Sequence, residues 1–376
     1  MPVTNILSKE LTLRLTQISI IRISLFTAIS FLISFLAFPM LIKLLVQLNL
    51  FDSPGRHKIH ENYKPSLGGV AILLGPILSL LIGLPFLEWV ALKYFFISLL
   101  LMFFIGLRDD ILALTPRQKL YSQFLPVILL VVLNQTTLNS AYGLVDLPEV
   151  PLPIIWGISI FTLIILTNAY NLIDGLDGLA GTVGVIALAA FGFWFYLAGD
   201  TALSLIALTF AGGLIAFLVF NWQPSKIFMG DTGALMIGFL LSYLAVFFIN
   251  ENYRLPQGNG YKFHASIATA ICVVIIPVFD TLRVIIVRLR QGQSPFHADR
   301  NHLHHQFINL GFSHAKSVLY IGAINILMIV LAWLLRKQND LLILGIVLAL
   351  CLAINFGLKW AHQRKLNPDG AKNKIN

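Results

Sequence analysis

Apolar residues fill eleven stretches of roughly 20 residues each, at 22–45, 67–87, 89–107, 120–138, 153–170, 180–198, 202–220, 233–250, 264–287, 316–335 and 341–360. A helix needs about 20 apolar residues to cross a bilayer, so each stretch predicts a transmembrane helix. Polar residues collect in the connections, which alternate between two sets. One comprises 46–66, 108–119, 171–179, 221–232, 288–315 and the tail 361–376. The other comprises 1–21, 88, 139–152, 199–201, 251–263 and 336–340. The expected fold is all-α: one polytopic membrane helix bundle of about eleven transmembrane helices, a single domain over 1–376 without internal repeats.

Composition sharpens this reading. The chain is 57% hydrophobic and 11% charged, against about 25% charged in a soluble domain. Soluble enzymes and disordered chains are therefore set aside. The formal charge of +9 is explained first by the positive-inside rule, and second by an anionic lipid or nucleotide partner; it calls for no nucleic acid. Of the 26 Lys and Arg, 18 lie on the first set of connections and flanking helix ends and 8 on the other. The first set is thus expected in the cytoplasm, with the N-terminus outside and the C-terminus inside. The first apolar stretch lacks a small-residue cleavage site and reads as an uncleaved helix. Cys272 and Cys351 lie within apolar stretches and imply no disulfide framework.

The acids and histidines show where chemistry is expected. Asp109, Asp110, Asp174, Asp177, Asp231 and Asp299 all fall in the inner connections, as do His57, His60, His297, His302, His304, His305 and His314. Adjacent carboxylates at Asp109-Asp110, with Lys119 opening the next span, suit Mg²⁺ or a phosphate proton as well as a plain helix cap. The run Asn168-Ala169-Tyr170-Asn171-Leu172-Ile173-Asp174-Gly175-Leu176-Asp177-Gly178-Leu179-Ala180-Gly181 offers hard oxygen ligands and glycines that admit close approach, with no Lys or Arg. In the segment before span eight, Phe228 could stack a base. Asp231 could cap a helix or share a Mg²⁺ site with the other acidic loops. His297-Ala298-Asp299-Arg300-Asn301-His302-Leu303-His304-His305 fits a pyrophosphate grip better than zinc, since no Cys accompanies it. The cations Arg56, Lys58 and Lys64 need no explanation beyond topology, and Asp280 with Arg283 at i,i+3 reads as a local pair.

These motifs, in this order, resemble the polyprenyl-phosphate N-acetylhexosamine-1-phosphate transferases of glycosyltransferase family 4, which include the MraY translocase. The resemblance runs from about Arg56 to His305. It implies attack of a polyprenyl phosphate on the β-phosphate of a UDP-N-acetylhexosamine, giving polyprenyl-pyrophosphate-sugar and UMP, with Mg²⁺ required and Mn²⁺ an alternative. Carried over by motif, Asp231 is the principal metal ligand and Asn171 a second. Asp177 contacts uracil and Phe228 stacks on it. Asp109 or Asp110 orients or deprotonates the lipid phosphate, and Lys119 holds phosphate. Arg300, His302, His304 and His305 grip pyrophosphate or sugar; Asp174 belongs to the motif without an assigned role.

The His-Ala-Asp-Arg-x-His-Leu-His-His form favours GlcNAc 1-phosphate as the transferred group, and the resemblance implies undecaprenyl phosphate as acceptor, at the first membrane step of cell-envelope polysaccharide synthesis. The resemblance further implies a multi-pass protein of the cell inner membrane with its active site facing the cytoplasm. It leaves a homodimer open. The alternatives are a phospho-MurNAc-pentapeptide transferase and, from another class, a transporter. A transporter would place its ionisable groups and broken helices near the midplane rather than at one end of the spans.

Overall fold

The computed structural model describes residues 3–50, 64–140, 142, 150–294 and 302–366, with side chains described from residue 19. Among the described residues the chain forms fourteen α-helices and no strand. They are α1 (Val3–Gln47), α2 (Gly68–Gly83), α3 (Phe86–Ala91), α4 (Lys93–Ile111), α5 (Pro116–Leu133), α6 (Leu152–Leu172), α7 (Leu179–Ala198), α8 (Thr201–Asn221), α9 (Gly230–Arg254), α10 (Ser266–Val273), α11 (Ile275–Arg290), α12 (Leu303–Asn309), α13 (His314–Leu334) and α14 (Asp340–Leu366).

Each apolar stretch centres on one of these helices, with α3 across the junction of 67–87 and 89–107, except 264–287, where α10 and α11 meet at an 85° bend. Seven helices are long and apolar enough to cross a membrane, or eight spans if the bent pair is one. α2 is too short to meet that measure, while α4 ends on Arg108-Asp109-Asp110 and α5 opens with Arg117 and Lys119. The connection expected at 88 is itself a helix, α3. Pro85 precedes its first turn, and the Trp89 indole donates to the Leu80 carbonyl at 3.3 Å, folding the segment back on α2. Pro suits this position because its fixed φ needs no hydrogen-bonded N–H there.

Burial orders the bundle. The apolar window of α9 is 94% buried, against 22% for α1 and α14, so α9 is the axis and those two lie at the periphery. Glycines let other helices reach that axis backbone to backbone. A Cβ on Gly69 of α2 would meet Gly233, one on Gly106 of α4 would meet the Asp231 carbonyl, and one on Gly238 of α9 would meet the Thr167 carbonyl of α6. The ends of α4 and α6 are thereby held against the first turns of α9. α5 joins them through its own start signal, a capping box. Thr115 Oγ1 accepts from the Gln118 N–H, and Gln118 Oε1 accepts from the Thr115 N–H at 3.0 Å, with Pro116 in the first turn. This cap fixes where Lys119 leaves the helix.

Candidate active site

Four of these helix ends converge on one ammonium. Lys119 Nζ lies 2.5 Å from Asp231 Oδ1, 3.1 Å from Asp109 Oδ2 and 3.3 Å from Asn171 Oδ1. Asn171 Nδ2 also donates to Asp231 Oδ1 at 2.6 Å. Asp109 is held from behind by the Leu114 N–H, which donates to its Oδ1 at 2.7 Å. Asp231 is the most open of the three charged groups, its side chain 29% exposed against 18% for Lys119 and 7% for Asp109. The sequence-expected residues Asp109, Lys119, Asn171 and Asp231 therefore form one cluster.

Asp110 faces the other way. Its Oδ1 accepts from the Asp231 N–H at 2.8 Å, and its Oδ2 accepts from the Thr232 N–H at 2.9 Å and from the Thr232 hydroxyl. Both oxygens cap the first turn of α9, where a carboxylate satisfies orphan N–H groups and meets the positive end of the helix dipole. Gly230, at φ +71°, makes this approach feasible, since a Cβ there would run into the Asp110 carboxylate and the Ser66 carbonyl.

A second cluster joins the α6–α7 loop to the segment before α9. Lys64 Nζ donates to Ser225 Oγ at 2.9 Å, lies 3.8 Å from Asp177 Oδ2, and sits 5.3 Å from the centre of the Phe228 ring. The Ser225 N–H donates to Asp177 Oδ2 at 3.3 Å. Phe228 is placed by an extended pairing: its N–H donates to Pro65 O at 2.9 Å, and its carbonyl accepts from the Gly68 N–H at 3.0 Å. Asn221 completes the junction, accepting from the Gly178 N–H at 2.7 Å and donating to the Ile227 carbonyl at 2.8 Å. Asp177 and Phe228 thus both border Lys64. Lys64, Ser225 and Asn221 are the members that sequence reasoning did not assign. Asp174 is half-buried in the turn after α6, its N–H donating to the Asn171 carbonyl at 3.3 Å.

The histidines of α12 form the third group. Buried Asp280 of α11 accepts from the Leu303 N–H at 2.7 Å and from Arg283 Nη2 at 3.0 Å, and its Oδ2 lies 2.9 Å from His302 Nδ1. Asp280 therefore anchors the start of α12 and fixes the His302 ring, a role hidden in sequence because its partners lie 22 and 23 residues away. His304 presses against the α6–α7 loop: a Cβ on Gly175 would stand 3.1 Å from its ring. Burial, reinforced by His305 beside it, pushes His304 down to about 3, so the ring is neutral at pH 7. The His304 and His305 ring centres are 4.3 Å apart. His297, Asp299 and Arg300 lie outside the described residues, as do Arg56, His57, Lys58 and His60.

Among the described residues, no group of three or more His, Cys, Asp or Glu surrounds a common point. The oxygens of Asp231, Asp109 and Asn171 do converge on one cation, the Lys119 ammonium. That set of hard oxygens fits an ion such as Mg²⁺, which takes one or two carboxylates and fills its remaining positions with water or substrate phosphate.

Taken together, the fold and site define an integral-membrane helix bundle with a cation-holding polar site at one end and a second polar group in which an acid, a lysine and an aromatic ring come together. The family model described as glycosyl transferase family 4 matches residues 92–249. A probable undecaprenyl-phosphate N-acetylglucosaminyl 1-phosphate transferase of Bacillus subtilis is 29% identical over 337 residues, covering 88% of this chain and 89% of the relative. Undecaprenyl-phosphate alpha-N-acetylglucosaminyl 1-phosphate transferases of Salmonella typhi and of Escherichia coli K12 are 27% and 26% identical, covering 79% and 74% of this chain and 81% and 74% of their own lengths. The chain is thus similar to glycosyl transferase family 4 over residues 92–249, and to these transferases over most of its length.

The anchor on α12 yields a test. Asp280→Ala strips the counter-charge from a buried guanidinium and the acceptor from the Leu303 N–H, a loss of about 3 kcal/mol. Thermal unfolding in detergent should show a clear fall in midpoint; an unchanged midpoint would contradict the anchoring role.

Proposed function

We propose that the protein transfers GlcNAc 1-phosphate from UDP-GlcNAc to undecaprenyl phosphate, giving undecaprenyl-pyrophosphate-GlcNAc and UMP. The observation that carries this reading is the Lys119 ammonium held by oxygens of Asp109, Asp231 and Asn171, with the α6–α7 turn joining Asn171 to the Asp177–Lys64–Phe228 group. The relatives' names supply the lipid acceptor and the sugar.

In the reaction, an oxygen of the lipid phosphate attacks the β-phosphorus of the UDP-sugar. The bond from that phosphorus to the oxygen bridging the two phosphates breaks, and UMP departs with the electron pair. Both substrates are anions, so the protein's part is positioning and charge stabilisation. Asp109 orients the incoming phosphate and Lys119 holds phosphate oxygen. Asp177 and Phe228 take the uracil, the first by hydrogen bonding and the second by stacking. The α12 histidines, with Arg300, hold pyrophosphate and sugar. Asp110 acts through α9, whose first turn it fixes. Asp231, with Asn171 as second donor, is where Mg²⁺ or Mn²⁺ would be held; the bound ion would neutralise phosphate charge and act as a Lewis acid.

Topology completes the proposal. Adding α2, α4 and α5 to the eight apolar spans gives eleven, with the N-terminus outside, the C-terminus inside and the site on the cytoplasmic face of the inner membrane.

Purified protein supplied with undecaprenyl phosphate, Mg²⁺ and UDP-GlcNAc should release UMP, and Asp231→Ala should abolish that release, since no neighbouring group replaces a hard anionic ligand. Near-normal turnover by Asp231→Ala would refute the metal assignment. The two substrate regions should separate by calorimetry. Phe228→Ala and Asp177→Ala should weaken UMP binding by about 1–3 kcal/mol, whereas Asp109→Asn should bind UMP normally and turn over slowly. Equal losses of UMP affinity in all three would sink this division. A reporter fused after Asn376 should read as cytoplasmic, and an external signal would overturn the orientation.

A further inference from the structure

Behind the Lys119 cluster lies a polar contact that neither substrate region uses. Gln123 of α5 is fully buried. It forms a reciprocal amide bridge with Asn168 of α6: Asn168 Nδ2 donates to Gln123 Oε1 at 2.7 Å, and Gln123 Nε2 donates to Asn168 Oδ1 at 3.2 Å. Asn168 Nδ2 also donates to the Ile164 carbonyl of its own helix at 2.8 Å. The Asn168 side chain is thereby fixed in orientation as well as in place.

The register of this bridge ties it to the site. Gln123 is four residues beyond Lys119, and Asn168 three residues before Asn171. On a helix these spacings put both members of each pair on one face, one turn apart. The Gln123–Asn168 bridge and the Lys119–Asn171 contact are therefore consecutive rungs between the same two helices. Where apolar helices pack in a membrane, side chains such as Leu and Val tolerate sliding, whereas a two-bond amide pair has one register. A slide or rotation of α5 against α6 would break the bridge and carry Lys119 away from Asn171 and Asp231.

We infer that Gln123 is a positioning residue: its amide bridge to Asn168 sets α5 against α6 so that Lys119 and Asn171 meet at Asp231. The inference rests on the transferase reading given above. The bridge touches no substrate and acts through the two residues one turn away. Simple adhesion between helices would raise stability alone. A positioning role acts on turnover and leaves the Asp177–Lys64–Phe228 group in place, because that group has its own anchors: Asn221 and Ser225 hold the Asp177–Gly178 turn, and Pro65 and Gly68 hold Phe228.

Gln123→Met keeps the length and approximate volume of the side chain and removes both hydrogen bonds. The expected result is a folded protein, monodisperse in detergent, with UMP affinity within about twofold of wild type. Its kcat should fall about 10- to 100-fold, the scale expected when reacting groups shift by about 1 Å. The swapped pair Gln123→Asn with Asn168→Gln restores an amide bridge of the same combined length. It should recover kcat to within about threefold, while Gln123→Asn alone should not. If Gln123→Met fails to fold, the comparison of the swap with Gln123→Asn carries the test.

Wild-type kcat in Gln123→Met would overturn the inference, as would a loss of UMP affinity in proportion to kcat. Equal kcat in the swap and in Gln123→Asn would also overturn it. Wild-type protein that releases no UMP from UDP-GlcNAc would sink the transferase reading and this role together. Active wild type with a fully active Gln123→Met would sink the role alone.

Discussion

The contact on which the rest of the site depends is the Lys119 ammonium among Asp109, Asp231 and Asn171. Charges drawn partly out of water are tolerated only when their partners arrive together. Here the partners come from α4, α5, α6 and α9, so four helix ends must converge within a few ångströms. The backbone contacts at Gly69, Gly106 and Gly238 follow from that requirement. Larger side chains at those positions would hold α2, α4 and α6 off the axis helix and leave the carboxylates apart. Packing deep in the bundle thus serves an electrostatic arrangement at its end.

The α6–α7 loop is the hub between the three polar groups. Asn171 belongs to the Lys119 cluster, Gly175 receives the His304 ring, and Asp177 belongs to the Lys64–Phe228 group. Gly178 closes the loop at φ +82°, a conformation open to glycine at little cost, which lets its N–H reach Asn221. The Asp177–Lys64–Phe228 group, the Lys119 cluster and the histidine helix thereby share one short backbone segment. This explains why that segment is dense in Asn, Asp and Gly and why the cations facing it, Lys64 and Lys119, come from other parts of the chain.

Hydropathy alone located the seven helices long and apolar enough to cross a membrane, because an apolar stretch of that length has few other folds available. It missed α3, whose six residues are too few to carry a pattern, and the bend between α10 and α11, which interrupts an unbroken apolar run. In the site, residue type and spacing pointed to Asp109, Lys119, Asn171 and Asp231. They did not separate Asp109 from Asp110. Neighbours on a helix differ by about 100° in direction, so one faces Lys119 while the other caps α9, 121 residues away. Long-range pairing also hid Asp280, whose Arg283 partner looked sufficient, and Lys64, whose charge topology alone explained. Local patterns reveal which side chains are polar. Which of two equivalent groups meets the ligand is decided by tertiary contacts that the sequence does not display.

Charge balance supplies the argument for a divalent cation. Asp177 faces Lys64, Asp280 faces Arg283, and Asp110 is neutralised by the N–H groups of α9. Asp109 and Asp231 share Lys119, so with both acids ionised that cluster carries one negative charge in excess. Two phosphorylated substrates brought to this point would add further negative charge where solvent screening is reduced. Among the described residues, Lys64 and Lys119 are already paired with acids. On the proposed reading, a mobile cation entering with the substrates would offset that repulsion. The excess charge at Asp109 and Asp231, with Asp231 the more open, is the arrangement that would draw such a cation to the reacting phosphates.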